Sequence, residues 1–158
     1  MTEQNPPQRP NLTADEPAVK EASDAVIQFV AELQAGWDQR DAELTDRRLA
    51  ANVAWGSPFG ATVEGYERLH VIHAELKKQG KGGTSSRFEI ERVLVPGPGI
   101  AIAQVRRHPL GPDGRPLEPS SDTSGAFSES ALYVLIRRDR QWWVAAGHNT
   151  PIRVGGEV

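Results

Sequence analysis

The 158-residue sequence contains no cysteine. That absence excludes disulfides, thiolate nucleophiles and cysteine-ligated metals together. Neither sign of charge dominates: 18 Lys and Arg stand against 21 Asp and Glu, a formal net charge of -3. With no basic stripe, a nucleic-acid partner has no electrostatic footprint. No apolar run approaches the ~20 residues that a membrane-spanning helix requires. The N-terminal stretch from Met1 to Pro10 lacks both the basic start and the apolar core of a signal peptide. A cytoplasmic protein with no nucleic-acid and no membrane partner is therefore expected. Nothing in the sequence asks for a cofactor.

What is present reads as one domain. Residues 1–14 are polar and proline-rich, the composition of a disordered tail. From Asp15, the residues Val19, Ala22, Val26, Phe29, Val30, Leu33 and Trp37 recur at spacings of three and four, which predicts an amphipathic helix capped by Asp15. Asp41 is set to cap a second helix from Ala42 to about Ala50, with Leu44 and Leu49 as its apolar positions. Asn52 to Phe59 predicts a short strand and turn, and Ala61 to Glu64 a brief partner strand. A third helix opens at Gly65 and runs to about Gln79, with Leu69, Ile72 and Leu76 on its buried face and Gly80, Gly82 and Gly83 ending it. Four β-rich stretches follow: Ser85 to Val95, Ile100 to His108, Ala126 to Arg138 and Gln141 to Thr150. The segment 109–125, rich in Pro, Gly, Ser and Asp, is too long for an ordinary hairpin loop and is expected to be a mobile loop or lid. The domain so delimited is 15–152, with a tail at 153–158.

The helices, a strand pair before the third helix and four final strands make an α+β arrangement. Local wording adds to the order. Trp37-Asp38-Gln39-Arg40-Asp41-Ala42 resembles the Trp-x-x-x-Asp-Ala segment of small SnoaL-like proteins. Val53 to Gly60, followed by Val63-Glu64-Gly65-Tyr66-Glu67-Arg68-Leu69, resembles their strand, turn and Gly-initiated helix. Trp142 to Pro151 is similar to the last strand of the SgcJ/EcaC-like group. The resemblance, to the SnoaL-like branch of the nuclear-transport-factor-2-like (cystatin-like) superfamily, spans roughly residues 17 to 152. It implies a cone of curved antiparallel sheet wrapped around three N-terminal helices, a pocket inside the cone for a hydrophobic small molecule, and a homodimer formed through the outer sheet face. Its members include cyclases, an isomerase, a hydrolase and binding modules without chemistry, so function has to be argued from the site.

The steroid-isomerase branch places its acid just before the proline after the first strand; here that position, before Pro58, is Ser57. A hydroxyl cannot serve as that base. The hydrolase branch uses an Asp-Arg-Asp relay. Arg106 shares a strand face with Gln104 and His108, with no carboxylate among them and Glu129 the nearest on the next strand. Histidine is the remaining acid–base residue. Tyr66, His70 and His73 form a stripe at i, i+4 and i+7 on the third helix. His73 is the expected proton-transfer residue, with Tyr66 and Asn149 orienting an oxygen. Trp37, Trp55, His70, Arg106, Trp143 and His148 are expected to line the ligand site. His70-x-x-His73 lacks the third ligand that a metal site needs, and no metal is expected. Simple alternation on the last strand groups Trp143, Ala145, Gly147 and Asn149 on one face. Binding without chemistry, and an interaction module whose pocket is closed by its own side chains, are the alternatives to an enzyme.

Overall fold

The computed structural model describes residues 6–80, 85–118 and 127–154. Helix α1 spans Glu16–Asp38, and the Asp15 carboxylate caps it by accepting from the Ala18 amide at 3.0 Å. Ala22, Val26, Phe29, Val30 and Leu33 are its buried stripe. Asp41 caps α2, Ala42–Asp46, through the Leu44 amide. This helix is one turn long, and does not run on to about Ala50 as the sequence suggests, because strand β1 already begins at Leu49 and runs to Gly56. Gly36 is packed so closely on Thr45 that a Cβ there would lie 2.6 Å from the Thr45 amide nitrogen, which fixes the angle between α1 and α2. Strand β2, Thr62–Glu64, pairs antiparallel with β1, and α3, Tyr66–Lys78, follows at once.

Strands β3 (Ser86–Gly97), β4 (Ile100–Pro109), β5 (Glu129–Arg138) and β6 (Gln141–Pro151) complete a six-stranded sheet of order β2-β1-β6-β5-β4-β3. All neighbours are antiparallel except β1 and β6, so the sheet is mixed rather than wholly antiparallel. Its inner face carries Ala101, Ala103 and Val105 of β4, Ala131, Tyr133 and Leu135 of β5, and Val144 of β6, and α1 lies across it. Alternating small residues on the inner face let the sheet curl around the helix. The tail is tethered where it meets the domain: the Ala14 amide donates to the Val95 carbonyl at 2.8 Å. Within the expected lid, residues 110–118 form a compact turn closed by a Leu110–Pro116 bridge, and 119–125 fall outside the described residues. Among the described residues no helix is long and apolar enough to cross a membrane.

Two irregularities set the faces of the site. On β6, Val144 is opposite Leu135 while Ala146 is opposite Val134, so Ala145 is an extra residue. A one-residue bulge exchanges the two faces of a strand beyond it. Trp143 is therefore on the outer face with Ile136, whereas Gly147 and Asn149 point inward beside Tyr133 and Ala131. The expected grouping of Trp143 with Gly147 and Asn149 does not hold. On β1, five residue steps from Leu49 to Ala54 are matched by two on β6, from Val144 to Ala146, and β1 arches away between them.

Candidate functional site

The centre of the site is a carboxylate that composition and spacing did not single out. Asp46, the last residue of α2, is 1% exposed. Its Oδ2 accepts from His70 Nδ1 at 2.8 Å and its Oδ1 from His73 Nδ1 at 2.7 Å. Both imidazoles project from α3, one turn apart, onto a single acid. A buried carboxylate is tolerated only when its oxygens are hydrogen-bonded. This requirement rotates α3: its inward stripe is Tyr66, Leu69, His70 and His73, while Ile72 and Leu76, expected to be buried, are 38% and 41% exposed. The polar cluster outweighs two aliphatic side chains in choosing the helix face.

The two histidines differ in their other contacts. His70 stacks face to face with Tyr66, ring centroids 5.2 Å apart, and its Nε2 lies 3.2 Å from Glu43 Oε1. His73 meets the edge of Trp55, with centroids 5.6 Å apart, and no described residue bonds its Nε2. An Nδ1 committed to a carboxylate fixes the tautomer with Nδ1 protonated, leaving Nε2 as the free lone pair. His73 is thus the histidine with an available base. Tyr66 belongs to the His70 side, where the two rings stack.

Trp55 carries the site inward. Its ring tilts over Tyr133 at 6.0 Å, and Tyr133 meets Phe29 edge-on at 5.0 Å. Trp55 packs tightly against Gly147, where a Cβ would sit 2.5 Å from Cζ3. Asn149, two residues further on the same strand face, holds a buried Oδ1 without a hydrogen-bond partner among the described residues. The Tyr133 phenol is pushed above the tyrosine range, mainly by burial and secondarily by the Glu129 charge. Tyr66 is raised too, by burial and then by the charges of Glu43 and Asp46.

A second cluster gathers around Arg107. Arg107, buried on the inner face of β4, donates to Glu129 Oε2 at 2.8 Å, Ser86 Oγ at 3.2 Å and the Phe127 carbonyl at 3.1 Å. Its guanidinium stacks over Trp37 at 5.0 Å and Phe127 at 5.6 Å. Lys77, lowered by burial, reaches the same Trp37 ring at 5.2 Å, and Phe88 packs on its edge. The inward arginine is Arg107 and not the expected Arg106. Arg106 is on the outer face with its Nε 2.9 Å from Glu91 Oε1, near enough to pair but off the line of a hydrogen bond. The signal was available: Ala101, Ala103 and Val105 set the buried parity, and Arg107 continues it. His108 shares Arg106's face and bonds Glu89. His148 is likewise outward and exposed, lying over Gly56. Trp143, also outward, lines a groove of about 840 Å³ where β1 leaves β6. Of the expected residues, His70, His73, Trp55 and Asn149 face the inner cluster, Trp37 flanks it at Arg107, and Arg106, Trp143 and His148 do not reach it. Among the described residues no group of three or more His, Asp or Glu side chains is arranged to hold a metal ion.

Neither a protein-family model nor a curated protein matches the sequence. Solved structures do match in shape. A domain of unknown function with a cystatin-like fold from Nostoc punctiforme is similar at 17% identity, with 85% of this chain and 80% of that one covered and a TM-score of 0.72. A ketosteroid isomerase-like protein from Erwinia carotovora atroseptica is similar at 11% identity, over 84% and 97% of the chains, with a TM-score of 0.64. Aln2 from a Streptomyces species is similar at 15% identity, over 83% and 91%, with a TM-score of 0.62. At such identities the likeness is one of fold, and together with the helices laid in the curved mixed sheet it establishes that this chain has the cystatin-like, nuclear-transport-factor-2-like fold.

Proposed function

We propose that this chain is a small-molecule pocket protein of the SnoaL-like type that transfers a proton to or from a hydrophobic, oxygenated metabolite, with His73 as its acid–base residue. The observation that carries the reading is the 2.7 Å bond from His73 Nδ1 to the buried Asp46 carboxylate. A base whose far nitrogen is held by a carboxylate is oriented and keeps one tautomer, the arrangement general-base catalysis needs. The buried acceptor of Asn149 supports a ligand that carries a hydroxyl or similar donor, because an unpaired buried amide oxygen costs about 1–3 kcal/mol. Trp55, Tyr133 and Phe29 supply the apolar wall.

The test is proton exchange. Enolisable polycyclic and terpenoid ketones are incubated with the protein in deuterated water, and α-deuteration is followed by NMR. The expected result is exchange that falls by roughly 10²-fold or more in His73→Ala, the usual worth of a positioned acid–base group. Exchange at the background rate for every ketone, together with a clean apo mass for protein purified from its own host, would overturn it.

A second reading, a homodimer through the outer sheet face, has one observation in its favour. Leu132 is 44% exposed at the middle of that face, with Ile102, Val134 and Ile136 around it only partly covered. Sedimentation equilibrium at micromolar concentration decides it, a monomer counting against.

A further inference from the structure

We infer that the groove between β1 and β6 is a second binding site, on the far side of Tyr66 and Glu43 from His73, for an organic anion with a flat apolar body. The groove exists because β1 arches: the strands are tied at Leu49 and Val144 and rejoin only at Ala54 and Ala146. The lower tie is reinforced by the Val144 amide donating to the Arg48 carbonyl at 2.6 Å. The bulge at Ala145 turns Trp143 toward the opening, and small residues, Ala50, Ala51 and Ala145, leave the space unfilled. The resulting open groove, about 840 Å³, is large enough to seat a drug-sized molecule.

The lining gives the ligand its chemistry. Trp143, Tyr66 and Ile136 form the apolar walls. Arg47 at the end of α2 and Arg138 at the end of β5 both border the groove, and neither has an ion-pair or hydrogen-bond partner among the described residues. Among the described lining residues the one carboxylate, Glu43, is turned to His70 at 3.2 Å. Two guanidinium groups beside an indole, neither in a close ion pair though the Arg47 charge also acts on Glu32, match a carboxylate, sulfonate or phosphate joined to an aromatic or polycyclic frame, since guanidinium pairs oxyanions in two-pronged fashion and stacks on flat rings. A cationic ligand would meet both arginines, and a neutral one would leave them unused.

The probe is 8-anilinonaphthalene-1-sulfonate, with the uncharged N-phenyl-1-naphthylamine as its partner, titrated into the full chain under native conditions. Saturable one-to-one binding of the sulfonate is expected, at least roughly tenfold tighter than that of the neutral probe. The double variant Arg47→Ala/Arg138→Ala should weaken it by about tenfold or more, as loss of hydrogen bonds to a charged group implies. In two-dimensional NMR the Trp143 indole N–H should shift on binding and that of Trp55 should stay in place. Because both arginines are exposed, unchanged near-ultraviolet circular dichroism verifies that the variant is folded. Equal affinity for the two probes, indifference to the arginines, or movement of Trp55 in place of Trp143 would each overturn the inference. So would a dimer that Trp143→Arg dissociates, which would give the groove to a second copy of the chain.

Discussion

His73 and His70 donate from equivalent nitrogens, one turn of helix apart, to opposite oxygens of Asp46. The acid is at the end of a single-turn helix that has no other buried residue, so α2 is held to α3 by this side chain more than by apolar contact. Fold and the proposed chemistry therefore share one residue. Substituting it should alter both, in separable degrees.

Asp46→Ala should lower stability in urea unfolding by about 3 kcal/mol, the cost of removing one partner from a buried polar pair. Asp46→Asn keeps one acceptor and turns an amide N–H₂ on the other histidine, so about 1–2 kcal/mol is expected. A loss below about 0.5 kcal/mol, on the order of an exposed pair, would contradict the burial of this contact.

Gly147→Ala should push the Trp55 ring off its seat. The added carbon would lie 2.5 Å from Cζ3, inside any real van der Waals contact, and next to a strand paired on both sides. Overpacking of this kind costs about 1–3 kcal/mol. Near-ultraviolet circular dichroism should report the displaced indole, and an unchanged spectrum with unchanged stability would refute the packing.

Glu32 and Arg48 predict an acid limb. Two hydrogen bonds from Arg48, at 2.9 and 2.8 Å, hold the Glu32 carboxyl below the usual carboxylate range, against a smaller opposing effect of burial. A depressed carboxylate contributes stability in full above its unfolded pKa and loses it as pH falls through the folded one. The wild type should thus lose more stability than Glu32→Gln between neutral pH and the acid side of the carboxylate range. At neutral pH the variant should be weaker by about 1 kcal/mol. Parallel stability–pH curves for the two proteins would exclude a contribution from the pair.

Tyr133 sets an alkaline limb of opposite sense. Its neutral form is favoured inside the cone, so folding stability is undiminished below the tyrosine range and declines as pH rises beyond it. Of the two tyrosines, both raised, Tyr133 should ionise later than Tyr66, and Tyr133→Phe should leave one phenolate transition in the ultraviolet absorbance. Ionisation of Tyr133 while circular dichroism remains native would disagree with its burial.

Much of this fold is legible in the sequence where one residue's environment repeats along an element. The α1 stripe, the α3 limits and the four C-terminal strands all carry such periods. The site is less legible, because it depends on events that break a period. Ala145 looks like any other strand residue, yet as a bulge it moves Gly147 and Asn149 inward and Trp143 outward. Ile72 and Leu76 satisfy a helical stripe better than two histidines do, and only the distant Asp46 explains why the histidines face in. Arg107 was readable from Ala101, Ala103 and Val105, but a charged residue at the end of an apolar alternation is ordinarily placed in solvent.

The position of β6 has a consequence for how the protein is made. Of the six strands of this sheet it is the last in sequence to be synthesised, yet it stands between β1 and β5. Until it arrives, the nascent chain holds two sheet fragments, β2-β1 and β5-β4-β3, with no backbone hydrogen bonds joining them as strands. The closing contact joins Leu49 to Val144 across most of the sequence, a separation that slows two-state folding. The inner edges of β1 and β5 are exposed during that interval, so this domain should depend on chaperones during synthesis more than its size alone suggests.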